Sequence, residues 1–173
     1  RSGLHGLSKD WNTQKPLPPT NMEIIDYEAR YHEDFRKLNL EWLEKYGLAE
    51  SHDLMVLDDP QGTIIDRGGC IFLAREDGII IGTAALMKEH EGVYELAKMS
   101  VAPAFRGRGI SKLLLAKCLE EARHRAAKKI LLFSNHQLTT ALALYTSFGF
   151  RNIPVAGSPF VTADVKMELV LTA

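Results

Sequence analysis

The chain has 173 residues, of which 46% are hydrophobic, so one domain can bury a real core without disulfide or metal staples. Its net charge of −1 excludes the broad basic surface of a general nucleic-acid binder. Two cysteines, Cys70 and Cys118, stand far apart, without metal-ligand spacing, and read as buried thiols of a reducing compartment. No metal site is expected, and no apolar run approaches the roughly 20 residues of a membrane span. With no charged-then-apolar leader at the start, the expected location is cytoplasmic.

Residues 1–21 differ from the body of the chain. They carry Gly3, Gly6, Pro16, Pro18 and Pro19 with no periodicity, and read as an N-terminal arm or an expression remnant. Residues 22–173 read as a single domain. Met22 to Tyr27 has the composition of a first strand. Glu28 to Tyr46 reads as a helix, with Tyr31, Phe35, Leu38, Trp42 and Leu43 on one stripe and Gly47 as its stop. Ser51 opens a short second helix ending near Leu57, and Asp58 to Gly62 reads as a turn.

Strands are expected at Gly69–Arg75 and Ile79–Lys88, joined through Asp77-Gly78, a strong hairpin signal. A break at Glu89–Gly92 precedes a third strand, Val93 to Val101, so three strands form an antiparallel meander. The next stretch is Phe105-Arg106-Gly107-Arg108-Gly109-Ile110-Ser111, leading into an amphipathic helix with Ile110, Leu113, Leu114, Cys118 and Ala122 inward. A turn of glycines and arginines that leads a strand into a helix N-terminus reads as an anion site, or else as a plain strand–helix connection whose arginines serve solubility. The first helical amides have no internal partner, glycine permits close approach, and guanidinium groups suit phosphate oxygens. The basic end of that helix, Arg123 to Lys129, matches its dipole and reads as a solvated terminus. Ile130 to Phe133 is a continuous apolar strand, Thr139 to Phe148 a helix stopped by Gly149, and Phe150–Val155 and Asp164–Val170 the last two strands.

The turn lacks the third glycine of a dinucleotide fingerprint and the Gly-Lys-Ser/Thr of a nucleoside-triphosphate loop. Arg106-Gly107-Arg108-Gly109-Ile110-Ser111 resembles instead the Arg/Gln-x-x-Gly-x-Gly/Ala pyrophosphate loop of the GNAT N-acyltransferase superfamily, with Ser111 at the position usually held by Gly or Ala. Ala141-Leu142-Ala143-Leu144-Tyr145-Thr146-Ser147-Phe148-Gly149-Phe150 is similar to the superfamily's Ala-x-x-Leu-Tyr-x-x-x-Gly-Phe segment, and the element order matches over Met22 to about Leu171.

That resemblance implies an α/β (α+β) fold with a mixed central sheet of about six to seven strands, helices on both faces, and a splay between the fourth and fifth strands. It implies acetyl-CoA as the acyl donor, coenzyme A as product, and acetyl transfer to a primary amine of a small molecule or peptide through a ternary complex. The alternative is an acyl-CoA-binding sensor without turnover. By the same resemblance Met99 and Val101 supply main-chain contacts to the pantetheine arm, and an amide near Met99 faces the carbonyl oxygen. Arg106, Gly107, Arg108, Gly109, Ile110 and Ser111 hold the diphosphate. Tyr145 protonates the departing thiolate, and Glu95 is the base if it faces the cleft, or else a surface glutamate paired with Lys98 or Lys88. His136 is an alternative base. Asn135 contacts the pantetheine or adenosine side, or caps the next helix. Tyr31, Phe35, Trp42 and Tyr46 divide between core and acceptor wall, and His90 and Glu91 could rim the acceptor site. Neither nucleic acid nor membrane is an expected partner, and a homodimer is left open.

Overall fold

A computed structural model describes residues 21–171. Its strands are β1 (Met22–Asp26), β2 (Cys70–Glu76), β3 (Ile79–His90), β4 (Val93–Val101), β5 (Lys129–Ser134), β6 (Arg151–Ile153) and β7 (Val165–Val170). Its main helices are α1 (His32–Lys45), α2 (Ser51–Asp58), α3 (Ile110–His124) and α4 (Thr139–Ser147). The seven strands form one sheet in the order β1-β2-β3-β4-β5-β7-β6. All neighbours are antiparallel except β4 and β5.

The two-residue period of a strand divides the apolar side chains between two cores. On β2, Phe72 and Ala74 join Ile81, Leu86, Leu114, Leu115, Ile130 and Met167 on the α3 side. Ile71 and Leu73 join Phe35, Leu43, Val56 and Leu57 on the α1–α2 side. α1 is held to the sheet through Phe35, Asn39 and Leu43, buried at four-residue intervals. Glu33 and Asp34 in its first turn and Lys45 in its last match its dipole. The β2–β3 hairpin turns on Asp77 and Gly78, both at positive φ (49° and 80°), the conformation Asp-Gly favours.

Several expected boundaries move. The first helix is preceded by a 3₁₀ turn at Ala29–Tyr31 and starts at His32. The expected turn at Asp58–Gly62 runs into a π-helical turn, Gln61–Ile65. Asp59 braces it by accepting from the Gly62 amide (3.0 Å) and the Thr63 hydroxyl (2.7 Å), and it drives Ile64 into the core. The strand expected over Phe150–Val155 shrinks to Arg151–Ile153, because Pro154 has no N–H for a ladder. The arm read at residues 1–21 lies, but for Asn21, outside the described residues.

α3 is pressed on the middle of the sheet through Leu114, which is fully buried. Leu114→Ala is expected to lower unfolding free energy by about 2–5 kcal/mol. In urea titrations the midpoint should fall while the denaturant slope stays unchanged.

Candidate functional site

β4 and β5 pair only at their first residues, Val93 to Glu95 with Lys129 to Leu131. Beyond Glu95 they separate, while β5 continues along β7 as far as Ser134. The opening is the mouth of a cleft of about 640 Å³. Its walls include Glu95, Lys98 and Met99 from β4, Gly107 and Gly109 from the loop, Ser111 from the first turn of α3, and Tyr145 from α4.

On its other edge β4 carries a bulge. Ala97 pairs with Ala85 and Ser100 with Thr83, so Lys98 and Met99 together stand opposite Ala84. Lys98 is in the left-handed region, φ 51°, uncommon for a residue with a side chain. The bulge turns the Lys98 side chain to the α2 side and leaves Met99 packed on the α3–α4 side.

The loop after β4 passes through a 3₁₀ turn, Pro103–Phe105, and enters α3 through Gly107 and Gly109. Both glycines have positive φ, 79° and 76°, and no protein atom lies within 4 Å of where a Cβ would sit. Glycine is therefore required here by the backbone angle, and the bare surface lets a ligand approach the main chain. Gly109 is the N-cap of α3, and no side chain caps the helix. Its first amides are left without an intrahelical partner, open to an acceptor from the cleft.

Both loop arginines are engaged by the protein. Arg108 grips Glu76 with two nitrogens, at 3.0 and 2.5 Å, and holds that carboxyl below its ordinary range. Arg106 donates from Nε to the Val101 carbonyl (3.2 Å) and stands 3.5 Å from Glu41. Ile110 sends its side chain into the core, so what it offers the cleft is its main chain.

Tyr145 points from α4 across the cleft, its hydroxyl 3.9 Å from the Met99 sulfur. Burial pushes its phenol up to about 12, so it is protonated at neutral pH. Glu95 is buried, not on the surface. Desolvation chiefly, then the neighbouring Glu89 carboxyl, pushes it up to about 8, against the opposing pull of Lys98. Asn135 is also buried, and each of its polar atoms has a protein partner. Nδ2 donates to the Thr162 carbonyl (2.8 Å), and Oδ1 accepts from the Gln137 amide (3.0 Å). His136 is exposed and paired with Asp164. Trp42 and Tyr46 line the cleft, whereas Phe35 and Tyr31 belong to the core. His90 and Glu91 are exposed and outside the cleft lining. Among the described residues no cluster of His, Cys, Asp or Glu could hold a metal, and no helix is long and apolar enough to cross a membrane.

The sequence profile described as the Acetyltransferase (GNAT) family matches residues 24–150. The chain belongs to the GNAT acetyltransferase family. It is 35% identical to an IAA acetyltransferase of Azospirillum brasilense over 138 residues, 79% of this chain and 80% of that protein. It is 30% identical to the uncharacterised N-acetyltransferase YjgM of Escherichia coli over 119 residues, 65% and 71% of the two chains. It is 38% identical to human N-acetylaspartate synthetase over 87 residues, half of this chain but only 29% of that longer protein. The fold is shared with a GNAT acetyltransferase of Staphylococcus aureus Mu50, with a TM-score of 0.80, 23% identity and coverage of 87% and 99% of the two chains. It is also shared with YncA of Salmonella typhimurium, solved with acetyl-CoA, with a TM-score of 0.69, 17% identity and coverage of 88% and 95%.

This GNAT chain carries a second polar group in the cleft that its sequence did not announce. Lys98 and Asp53 form a buried ion pair at 2.5 Å, with side chains only 4% and 3% exposed. Asp53 also accepts the Glu50 amide at the start of α2 (3.0 Å), and Lys98 lies 5.3 Å from the Phe160 ring centre. Glu50 in turn accepts from the Val161 amide, the Thr162 amide and the Thr162 hydroxyl, fastening the β6–β7 loop over this side of the cleft. Burial pushes the Glu50 carboxyl up, but these hydrogen bonds outweigh it and hold it below its usual range. The N-cap is Glu50, one residue before the Ser51 expected to open the helix, with Asp53 at N3; the partner of Asp53, 45 residues away, had no signal in the sequence.

Removing one member of a buried pair strands the other charge. Asp53→Asn should cost about 3–5 kcal/mol by chemical denaturation, and the double variant Asp53→Leu/Lys98→Met markedly less.

Proposed function

We propose that the protein is an N-acetyltransferase that moves an acetyl group from acetyl-CoA to a primary amine of a small molecule or peptide, by direct attack in a ternary complex. The observation that carries this reading is convergence. The splayed edge of β4, the uncapped amides at the head of α3 and the Tyr145 phenol all open onto one cleft. The names of the IAA acetyltransferase and N-acetylaspartate synthetase relatives support acetyl transfer as the chemistry.

Between Leu96 and Val101 the main chain has no ladder partner on the side facing β5, which suits the amide-bearing pantetheine arm, able to add to a sheet edge as a strand would. Met99 and Val101 make these contacts. The diphosphate sits on the amides of Gly107, Arg108, Gly109, Ile110 and Ser111, with the fields of Arg106 and Arg108 close by. Asn135, tied to Thr162, shapes the far wall.

In the transfer, the amine nitrogen bonds to the thioester carbonyl carbon, and the carbonyl oxygen takes the negative charge. The Met99 amide donates to that oxygen. Glu95 removes the amine proton directly or through a water. A carboxyl near 8 is a stronger base than a solvated one and is partly ionised at neutral pH. The carbon–sulfur bond then breaks, and the thiolate takes the Tyr145 proton, leaving free coenzyme A and an amide. Tyrosine, at about 12, holds that proton until the thiolate forms.

The function is tested by a broad amine panel with thiol detection. Amine-dependent release of coenzyme A is expected; tight coenzyme A binding with no release across the panel would replace the enzyme by a sensor. For Tyr145→Phe, turnover should fall about 100-fold, with coenzyme A affinity within about twofold of wild type; unchanged turnover removes the acid role.

Because Glu95 must lose its proton to act, kcat/KM should rise with pH to a plateau above about 8. Glu95→Gln should abolish that limb. A profile that keeps the same limb in the variant assigns the base elsewhere.

A further inference from the structure

Two polar side chains lie in the middle of the molecule with no contact to the cleft. Asn39 on α1 and Thr83 on β3 are both fully buried. They form a chain of hydrogen bonds that ends on the β4 bulge. The Trp42 indole N–H donates to Asn39 Oδ1 (3.3 Å). Asn39 Nδ2 donates to the Phe35 carbonyl (2.9 Å) and to Thr83 Oγ1 (3.1 Å). Thr83 Oγ1 donates to the Lys98 carbonyl (2.8 Å). Since Asn39 occupies an acceptor site of the hydroxyl, the hydroxyl proton is left for Lys98.

The Lys98 carbonyl and the Met99 N–H belong to one peptide unit. In a trans peptide the two point in opposite directions, and the described residues contain no cis bond. Thr83 lies on β3, so the carbonyl it holds points towards β3. The Met99 N–H must then point the other way, into the gap between β4 and β5. Lys98 and Met99 have no ladder partner on either side, so pairing does not fix this peptide. A donor on its carbonyl also polarises the peptide and strengthens its N–H as a donor.

We propose that Asn39 and Thr83 are positioning residues, which hold the Lys98–Met99 peptide so that the Met99 N–H meets the thioester oxygen as charge develops there. The inference rests on the acetyl-transfer reading of the cleft. It explains why polar groups are buried where apolar ones of the same shape would pack as well. It also gives the left-handed Lys98 its restraint: the Asp53 pair holds the side chain, and Thr83 holds the carbonyl.

Thr83→Val keeps the shape and removes the hydroxyl, Thr83→Ser keeps the hydroxyl, and Asn39→Leu removes the donor behind it. Infrared spectra of bound [1-13C]acetyl-CoA read the carbonyl directly, without an acceptor. The wild-type carbonyl stretch should lie below its value in solution, return towards that value in Thr83→Val, and be recovered in Thr83→Ser. With the amine found by the panel, kcat should fall about tenfold in Thr83→Val, less in Asn39→Leu, and be largely restored in Thr83→Ser, while the KM for acetyl-CoA stays within about twofold. If Thr83→Val does not fold, the spectrum and kcat of Asn39→Leu decide. A wild-type stretch and kcat in the folded valine variant, with only a lowered melting temperature, would reduce the chain of bonds to a structural role. Equal losses in the valine and serine variants would do the same. Wild-type enzyme that transfers to no amine would sink both this inference and the function it rests on, whereas transfer that is indifferent to Thr83 sinks this one alone.

Discussion

The parting of β4 from β5 after three paired residues is the constraint on which the rest of the site depends. A parallel pair in the middle of a sheet would normally run on, because unpaired buried amides and carbonyls cost on the order of 1–3 kcal/mol each. Here the two strands are committed elsewhere. β5 is zipped to β7 over its whole length, and β4 is zipped to β3 up to and after the bulge. The gap is held open by those outer pairings, and the main chain that faces it is left ready for a ligand with amides of its own. Helix α3 starts just beyond the end of β4, so the strand edge and the helix N-terminus open onto one cleft.

Around that gap the polar groups are graded by burial. At the loop end, main-chain amides are the groups left open, because both arginines are held by Glu76, Glu41 and the Val101 carbonyl. Their charge still biases the site towards an anion, and their bonds fix the loop that presents the amides. Deeper in, Glu95 shares its surroundings with Glu89, Asp53 and Lys98. Desolvation chiefly, with the Glu89 and Asp53 carboxyls and against the pull of Lys98, shifts it into the range where a carboxyl can both take and keep a proton near neutrality. Burial pushes the Tyr145 phenol up to about 12, away from usefulness as a base. The chemistry assigned to the two residues is thus set by what surrounds each of them.

Much of this was readable from the residues in order. The strand–loop–helix of 93–124, the Asp77-Gly78 hairpin and the Tyr145 helix carry local signals: alternation, positive-φ glycines and helical stripes. The burial of Glu95 was left open, because a single glutamate in a strand looks alike on either face until its neighbours are known. Pairings across long stretches of chain left no local trace. Asp53 with Lys98, Asn39 with Thr83, and Glu50 with the 160–162 loop join elements that only the finished sheet brings together. The π-helical turn at Gln61–Ile65 was masked by Asp-Pro-Gln-Gly, a composition that reads as a simple turn.

The most direct measurement is a crystal structure with coenzyme A bound. The diphosphate should rest on the amides of residues 107–111, and the pantetheine arm should run along residues 96–101 between β4 and β5, its sulfur near the Tyr145 hydroxyl. A coenzyme seated outside this opening, or β4 and β5 closed against each other in its presence, would contradict the account.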